Sequence, residues 1–420
     1  FNQSTIQQLN NPLSMKPSIL PILVVCGLLF ACEAAQQPVT VELSSGSDLP
    51  LVEAPVVLSR GDLNELLGQL PGQAWVQLSV EGKPIPHQYD DWNADSQWDE
   101  VFFLLDFPTR AQTLEVELLK EKPVFDLALR TQLHLGKVVV KDSIYEAIDA
   151  GNRVMGTETA TTIAVYQFEG PGWENDHIAF RTYFDERNGI DIFGKQTTDM
   201  VLQKVGTGQN YHELRDWGMD ILKVANSLGA GALALSYQDS LYRVTDDSTS
   251  TVRLLVEGPL RSGLAYFFPS VEVGDTVVSV THRISIVAGA HGYQSSVTVS
   301  PVLPGMTLVS GIVNLHSDSC YLFEAGDMAM IYTHDHQAFD GEYLGLAIMA
   351  NQADYLGQLT CPEEGPGITQ TYGMEMSLRP DAATQFWFLA GWEIEDEKYA
   401  SRDSFLQMLV SEANKQRLEQ

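Results

Sequence analysis

The sequence predicts an all-β protein: a large antiparallel β-sandwich, a smaller N-terminal β domain and few helices. Three observations predict it. Apolar and polar residues alternate over many short runs. Turn-forming residues separate those runs. Only two stretches carry apolar residues at helical spacing.

The chain opens on a different pattern. Met15 and Lys16 precede an uncharged apolar run, residues 19–30, which ends in Leu29-Phe30-Ala31-Cys32. A basic start, an apolar stretch of about 7–15 residues and small residues at the cut make a secretory signal. A bilayer-spanning helix needs about 20 apolar residues. The tetrapeptide is similar to a bacterial lipobox, with Phe30 an unusual second residue. Cys32 is therefore expected to carry lipid, on an exported periplasmic or outer-membrane-anchored lipoprotein. A cut near Ala34-Ala35 is the alternative. Residues before Met15 read as upstream sequence, and residues 1–32 are set aside from the fold. No later run is apolar enough to span a membrane, so contact with one is expected only through the lipid.

Residues 33–125 read as the N-terminal β domain. After a polar linker, period-two runs occur at 39–43, 74–80, 101–105 and 114–118. Residues 126–420 read as the main sandwich. Its strands are expected at 138–140, 161–168, 178–184, 233–237, 252–256, 277–287, 295–299, 328–332, 344–349 and 386–390. The two helical readings are residues 211–224 and the tail from Ser401, where Phe405, Leu406, Leu409 and Val410 recur at helical spacing.

The chain carries 55 acidic and 25 basic residues, a net charge of −30. Such a surface repels phosphate backbones, which excludes a nucleic-acid role. An anionic substrate would need the few cations gathered locally. Cys26 leaves with the signal and Cys32 takes lipid, so Cys320 and Cys361 remain, and outside the cytoplasm they are expected to pair. No Cys–His cluster has zinc spacing. There is no nucleophile elbow, phosphate loop or dinucleotide fingerprint, so no cofactor is required.

The densest polar constellation lies between Trp173 and Gly231. Strand alternation over residues 178–184 puts His177, Arg181, Tyr183 and Asp185 on one face. Arg187, Asn188, Asp191 and Lys195 follow in a turn-rich stretch. On a helix, His212, Asp216, Asp220 and Lys223 would share a face. Such a His–Asp pair is an oriented general base, two ligands of a divalent metal, or a run of surface ion pairs. Trp217 and Gly218 interrupt the helical pattern and favour function over a plain surface. His334 and His336 form a His-x-His pair that would share a strand face. The acidic run 90–100 could cage Ca²⁺ or form a plain hairpin; Ser96 stands where a mid-loop glycine is expected.

Residues 185–195 and the stretch Asp216-Trp217-Gly218-Met219-Asp220-Ile221-Leu222-Lys223-Val224 resemble one bacterial family. Gln88-Tyr89-Asp90-Asp91, Trp98-Asp99-Glu100 and Glu257-Gly258-Pro259-Leu260-Arg261 resemble it more weakly. The family was catalogued as a domain of unknown function, occurs in polysaccharide-utilisation gene clusters and includes an oligosaccharide dehydratase of ulvan breakdown. The chain departs from it at Ser96 and Ala225, where glycine or a glycine-like residue is commoner. The resemblance implies a sandwich related to the mutarotases and polysaccharide lyases. It also implies loss of water from the non-reducing-end uronic acid of an acidic oligosaccharide, giving a 4,5-unsaturated sugar.

That reaction needs a neutralised carboxylate, a base for the C5 proton and an acid for the 4-hydroxyl. On this reading Arg181, Arg187 and Lys195, helped by Asn188, face the carboxylate. His212 is the base, Asp216 orients it, and Tyr183 is the acid. Asp191, Trp217, Asp220, Lys223, His334 and His336 complete the substrate site. The alternatives are a lipid-anchored glycan-binding protein and a hydrolase or epimerase on the same sandwich.

Overall fold

Strand alternation builds the protein. In the computed structural model, which describes residues 38–153, 165–246 and 249–416, nearly every run expected as a strand is one. The signal, Cys32 and residues 161–164 lie outside the described residues. The rest of that last expected strand is not extended: Gln167–Glu169 is a 3-10 turn.

The N-terminal region is a small two-sheet sandwich. One sheet orders Val39–Ser44, Ala111–Leu119, Trp75–Val80 and Lys83–Pro84. The other orders Leu51–Ser59, Glu100–Phe107 and His87–Asp90. Their inward residues, among them Val56, Val76, Leu78, Phe103 and Val116, form a separate apolar core. A short helix, Arg60–Leu67, starts with a capping box in which Ser59 and Asp62 cap each other's backbone amides. It buries only Leu63, and so left no periodic signal.

Among the described residues, the main sandwich has three large sheets and a two-stranded ribbon of Gly136–Val140 and Ile144–Ala147. The largest is antiparallel and nine-stranded, in the order Ala150–Asn152, Thr251–Val256, Arg261–Val273, Thr276–Val287, Gly292–Ser300, Thr384–Trp392, Leu344–Asn351, Met328–Asp335 and Tyr321–Ala325. One five-stranded sheet orders Gly218–Asp220, Ile190–Lys195, Ile178–Thr182, Gly172–Asn175 and Thr131–His134. The other orders Ser240–Arg243, Ala230–Tyr237, Thr307–Val313, Thr371–Ser377 and Tyr355–Thr360. A single apolar core takes residues from all three, including Trp173, Phe180, Tyr293, Ile312 and Phe388.

The C-terminal helix, Arg402–Lys415, buries Phe405, Met408, Leu409 and Ala413 against Met328, Met330, Met349 and Leu389 of the nine-stranded sheet. The sheet makes room with glycine: a Cβ on Gly345 would lie 2.5 Å from the Phe405 ring. No described helix is long and apolar enough to cross a membrane.

Three of the family-like stretches meet at one junction between the small and large sandwiches. Gln88 donates to the Arg261 carbonyl (2.9 Å) and accepts from the Leu260 and Arg261 amides (2.9 and 3.0 Å). The Arg261 guanidinium is held by Asp90 and Glu100. A Cβ on Gly258 would lie 2.5 Å from the Gln88 amide oxygen. These motifs hold the two sandwiches together.

The acidic run is a hairpin, and its carboxylates serve the chain. Asp99 accepts from the Trp92 and Asn93 amides, and Asp91 from those of Asp95 and Ser96. Ser96 has φ +69°, a left-handed conformation that glycine adopts at little cost. Ala225, the second departure, has φ +49°.

Two expectations are corrected. Cys320 and Cys361 are free thiols: Cys320 leads into the edge strand Tyr321–Ala325, while Cys361 follows Tyr355–Thr360 in a different sheet. Residues 211–224 are not a helix. They form a turn and the strand Gly218–Asp220, paired with Ile190–Lys195. The cause is Gly218, at φ +133°, where a Cβ would fall 1.8 Å from the Gly194 carbonyl oxygen.

His282 gives the sandwich a pH signature. It is buried in the strand Thr276–Val287, with Nε2 2.9 Å from Ser295 Oγ. Burial lowers its pKa from 6.5 to about 3, so the folded state keeps it neutral. Below pH ~6.5 the unfolded chain binds a proton that the folded chain refuses, so stability falls as pH falls towards 3. The slope from this group is about 1.4 kcal/mol per pH unit. Urea unfolding between pH 6.5 and 4 is expected to show wild type losing stability relative to His282→Gln; parallel curves would refute this.

Candidate functional site

Arg181 is the centre of the site. It projects from the strand Ile178–Thr182 away from the main core and is 1% exposed. Next to it, Ala179 and Phe193 pack under the 201–217 segment through Val201, Leu202, Val205, Tyr211 and Trp217. Residues 201–205 are pinned by Glu174, whose carboxylate accepts from the Val201 and Leu202 amides and pairs with Lys195 at 3.0 Å.

A guanidinium this deep needs anionic partners. Arg181 donates to Asp191 from Nε and Nη2 (3.1 and 2.7 Å) and to Asp220 from Nη2 (2.8 Å). Nη2 also reaches Tyr183 Oη at 2.7 Å, and Nη1 reaches Tyr211 Oη at 3.3 Å. Tyr183 gives its proton to Asp191 at 2.5 Å. Burial opposes the charge on Arg181, but these oxygens outweigh it and raise its pKa above the ordinary arginine value. Burial, then the neighbouring Asp191, pushes the Asp220 carboxyl well above its usual range. Burial does the same to the Tyr183 hydroxyl.

His212 lies at the rim, its side chain 46% exposed. Its Nδ1 approaches Asp220 Oδ2 at 3.4 Å. Its ring lies between Tyr211 (4.5 Å between centroids) and Phe339 (5.9 Å). Partial burial, then the Arg181 charge, lowers its pKa, so the imidazole is neutral at neutral pH. A neutral ring with one nitrogen turned to a buried carboxyl and the other without a hydrogen bond among the described residues is suited to accept a proton.

The structure brings together His212, Tyr183, Arg181, Asp191 and Asp220. Asp216, expected to orient His212, is exposed; Asp220 takes that place, because the chain is a strand and not a helix there. Lys223 is likewise exposed and shares no helix face with His212. Arg181 is enclosed by its own partners, Asp191 and Asp220. Lys195 is fully buried against Glu174 and the Asn175 carbonyl. Asn188 is a turn residue at φ +41°, donating to the Val244 carbonyl.

Arg187 differs. It stacks 4.0 Å over the Tyr183 ring with its side chain 35% exposed. Nε and Nη2 bind Asp185 and Glu169. Nη1 makes no hydrogen bond among the described residues. Trp217 lies partly buried against Phe193. His334 and His336 flank Tyr343 (5.5 and 3.9 Å) and donate to the Tyr399 and Gly341 carbonyls. They touch no member of the Arg181 cluster; the loop after them reaches it through Phe339, whose amide donates to the Ile221 carbonyl. Tyr211, Glu169 and Phe339 are the members that strand alternation could not find, since each comes from a turn or loop.

One comparison with known proteins shows the family, and none shows its activity. The model described as "Domain of unknown function (DUF4861)" matches residues 43–419, and the chain belongs to that family. No curated protein matches the chain. Among solved structures, it is similar to an alpha-mannosidase from Enterococcus faecalis V583, with 10% identity and TM-score 0.42, over 89% of this chain and 45% of that one. It is also similar to a protein in the Glycosyl Hydrolase Family 38 from Enterococcus faecalis, with 8% identity and TM-score 0.41, over 89% and 46%. The chain spans under half the length of either. Similarity this low assigns no activity.

The charge balance around Arg181 can be tested by stability. Arg181→Ala leaves Asp191 and Asp220 buried without a cation and is expected to cost about 3–5 kcal/mol. Adding Asp191→Asn and Asp220→Asn should recover part of that loss in urea unfolding. A triple variant no more stable than the single one would contradict this account.

Proposed function

We propose that this family member is a carbohydrate-active lyase, removing water from the non-reducing-end uronic acid of acidic oligosaccharides such as ulvan fragments. The observation that carries the reading is His212: a neutral, accessible imidazole held over a buried Arg–Asp–Asp–Tyr network. The resemblance of residues 185–195 and 216–224 to a family with an oligosaccharide dehydratase supports the choice of reaction.

In this proposal Arg187 Nη1 receives the uronate carboxylate. Withdrawal of charge there acidifies the C5 proton. His212 takes that proton on Nε2, because Nδ1 is turned to Asp220. The C5–H electron pair forms the C4=C5 bond, the C4–O4 bond breaks, and O4 leaves as water after taking a proton. The acid is Tyr211 in preference to Tyr183. The Tyr183 proton is committed to Asp191 at 2.5 Å, whereas the Tyr211 hydroxyl accepts from Arg181 and keeps its own proton. Asp191, Asp220 and Arg181 are positioning residues. An exported, lipid-anchored location belongs to the same proposal, supported by the 19–30 run and Cys32.

Incubation with uronic-acid oligosaccharides, followed by mass spectrometry, is expected to show loss of one water and new ultraviolet absorbance from the conjugated uronate. His212→Ala should lower kcat by about 10²–10⁴-fold. A gain of water would make the protein a hydrolase, and no mass change across such substrates would rule the lyase out. Full turnover by His212→Ala would remove the base assignment.

A further inference from the structure

A second cluster of ligating side chains lies outside the proposed reaction centre. His177 follows Gly172–Asn175, His291 precedes Gly292–Ser300, and Glu395 follows Thr384–Trp392. One ligand atom from each converges, all within 4.8 Å of one another. His177 Nδ1 lies 2.8 Å and His291 Nε2 3.6 Å from Glu395 Oε1. The two imidazoles stack at 4.3 Å. We infer that His177, His291 and Glu395 form a site for a divalent first-row metal ion of the Zn²⁺ class.

The spacing fits. Ligands bonded to Zn²⁺ at about 2.0–2.1 Å in a tetrahedral array lie about 3.3 Å apart, and the two separations to Glu395 fall on either side of that value. The ligand set fits too. Two imidazoles and one carboxylate, with positions left open, are a recurrent first-row metal site. The His291 ring makes no hydrogen bond among the described residues, so its lone pair is uncommitted.

The loops are held in place before any ion arrives. Asn175 is fully buried and clamps two of them. Its amide donates to the Val287 and Ala290 carbonyls (2.7 Å each), and its oxygen accepts from the His177 and Ile178 amides (2.9 and 3.0 Å). The Ala390 amide donates to the His291 carbonyl at 2.9 Å, tying that loop to the strand that leads to Glu395. The Glu395 amide in turn donates to the Trp392 carbonyl. Supports of this kind fix the orientation of metal ligands.

A second observation points to a missing partner. Tyr399 is 0% exposed, its ring stands edge-on to His291 at 5.5 Å, and its hydroxyl has no hydrogen-bond partner among the described residues. A water held on an open metal position would satisfy it. The ion would join the nine-stranded sheet to the five-stranded sheet that carries Arg181, since His177 opens the strand on which Arg181 lies.

The test uses the full chain, stripped with chelator and titrated with ZnCl₂ by calorimetry. Wild type is expected to bind one Zn²⁺ per chain and to gain thermal stability from it. His291→Ala and the near-isosteric Glu395→Gln should each bind at least about tenfold more weakly, while His316→Ala, at an exposed histidine elsewhere, should bind as wild type does. Circular dichroism establishes that the variants fold. No binding by wild type, or unchanged binding by both His291→Ala and Glu395→Gln, would overturn the site. Neither result depends on whether dehydration is the reaction.

Discussion

One buried cation organises the functional half of this protein. Arg181 lies under a loop, in a place where a lone charge is prohibitively costly. Its fork answers that cost with Asp191 from the neighbouring strand and Asp220 from the next one out. Those two carboxylates fix the register of the sheet edge. They also draw in the Tyr183 and Tyr211 hydroxyls and bring His212 to the rim. The chain is strongly acidic, yet the network beneath its candidate base is built around a buried positive charge.

The family-like stretches divide into two physical jobs. Those around Gln88, Glu100 and Arg261 form a junction between sandwiches, where a polar side chain substitutes for backbone partners across the gap. Those around Asp191 and Asp220 form the Arg181 network. Only burial and hydrogen-bond partners separate the residues that hold the frame from those that present chemistry.

What the sequence made legible follows from periodicity. The run Thr276–Val287 alternates cleanly because one face meets the core and the other does not. Ile190–Lys195 gave no such signal, since all six residues are buried, the outer face lying under the 201–217 segment. Residues 211–224 misled for a related reason: their apolar positions satisfy a loop cover and an edge strand together, and the sum imitates a helix. Arg181, Tyr183 and His212 were visible as residue types at plausible spacing. That Asp220 and not Asp216 stands beside His212 was not visible, because it depends on Gly218 approaching Gly194. His291 and Glu395 are far from His177 in sequence, and no local pattern could join them.

Ser96 and Ala225 are among the left-handed residues that are not glycine, and Ser96 shows how such a residue is held. A side chain in that conformation costs roughly 1–2 kcal/mol where glycine costs little. At Ser96 the surrounding carboxylates fix the turn from both sides, through Asp91 and Asp99, so the loop keeps its path without glycine's freedom. The substitution is thus affordable only while those carboxylates remain. Removing Asp91 or Asp99 would therefore take the turn's support away from a residue that lacks glycine's freedom.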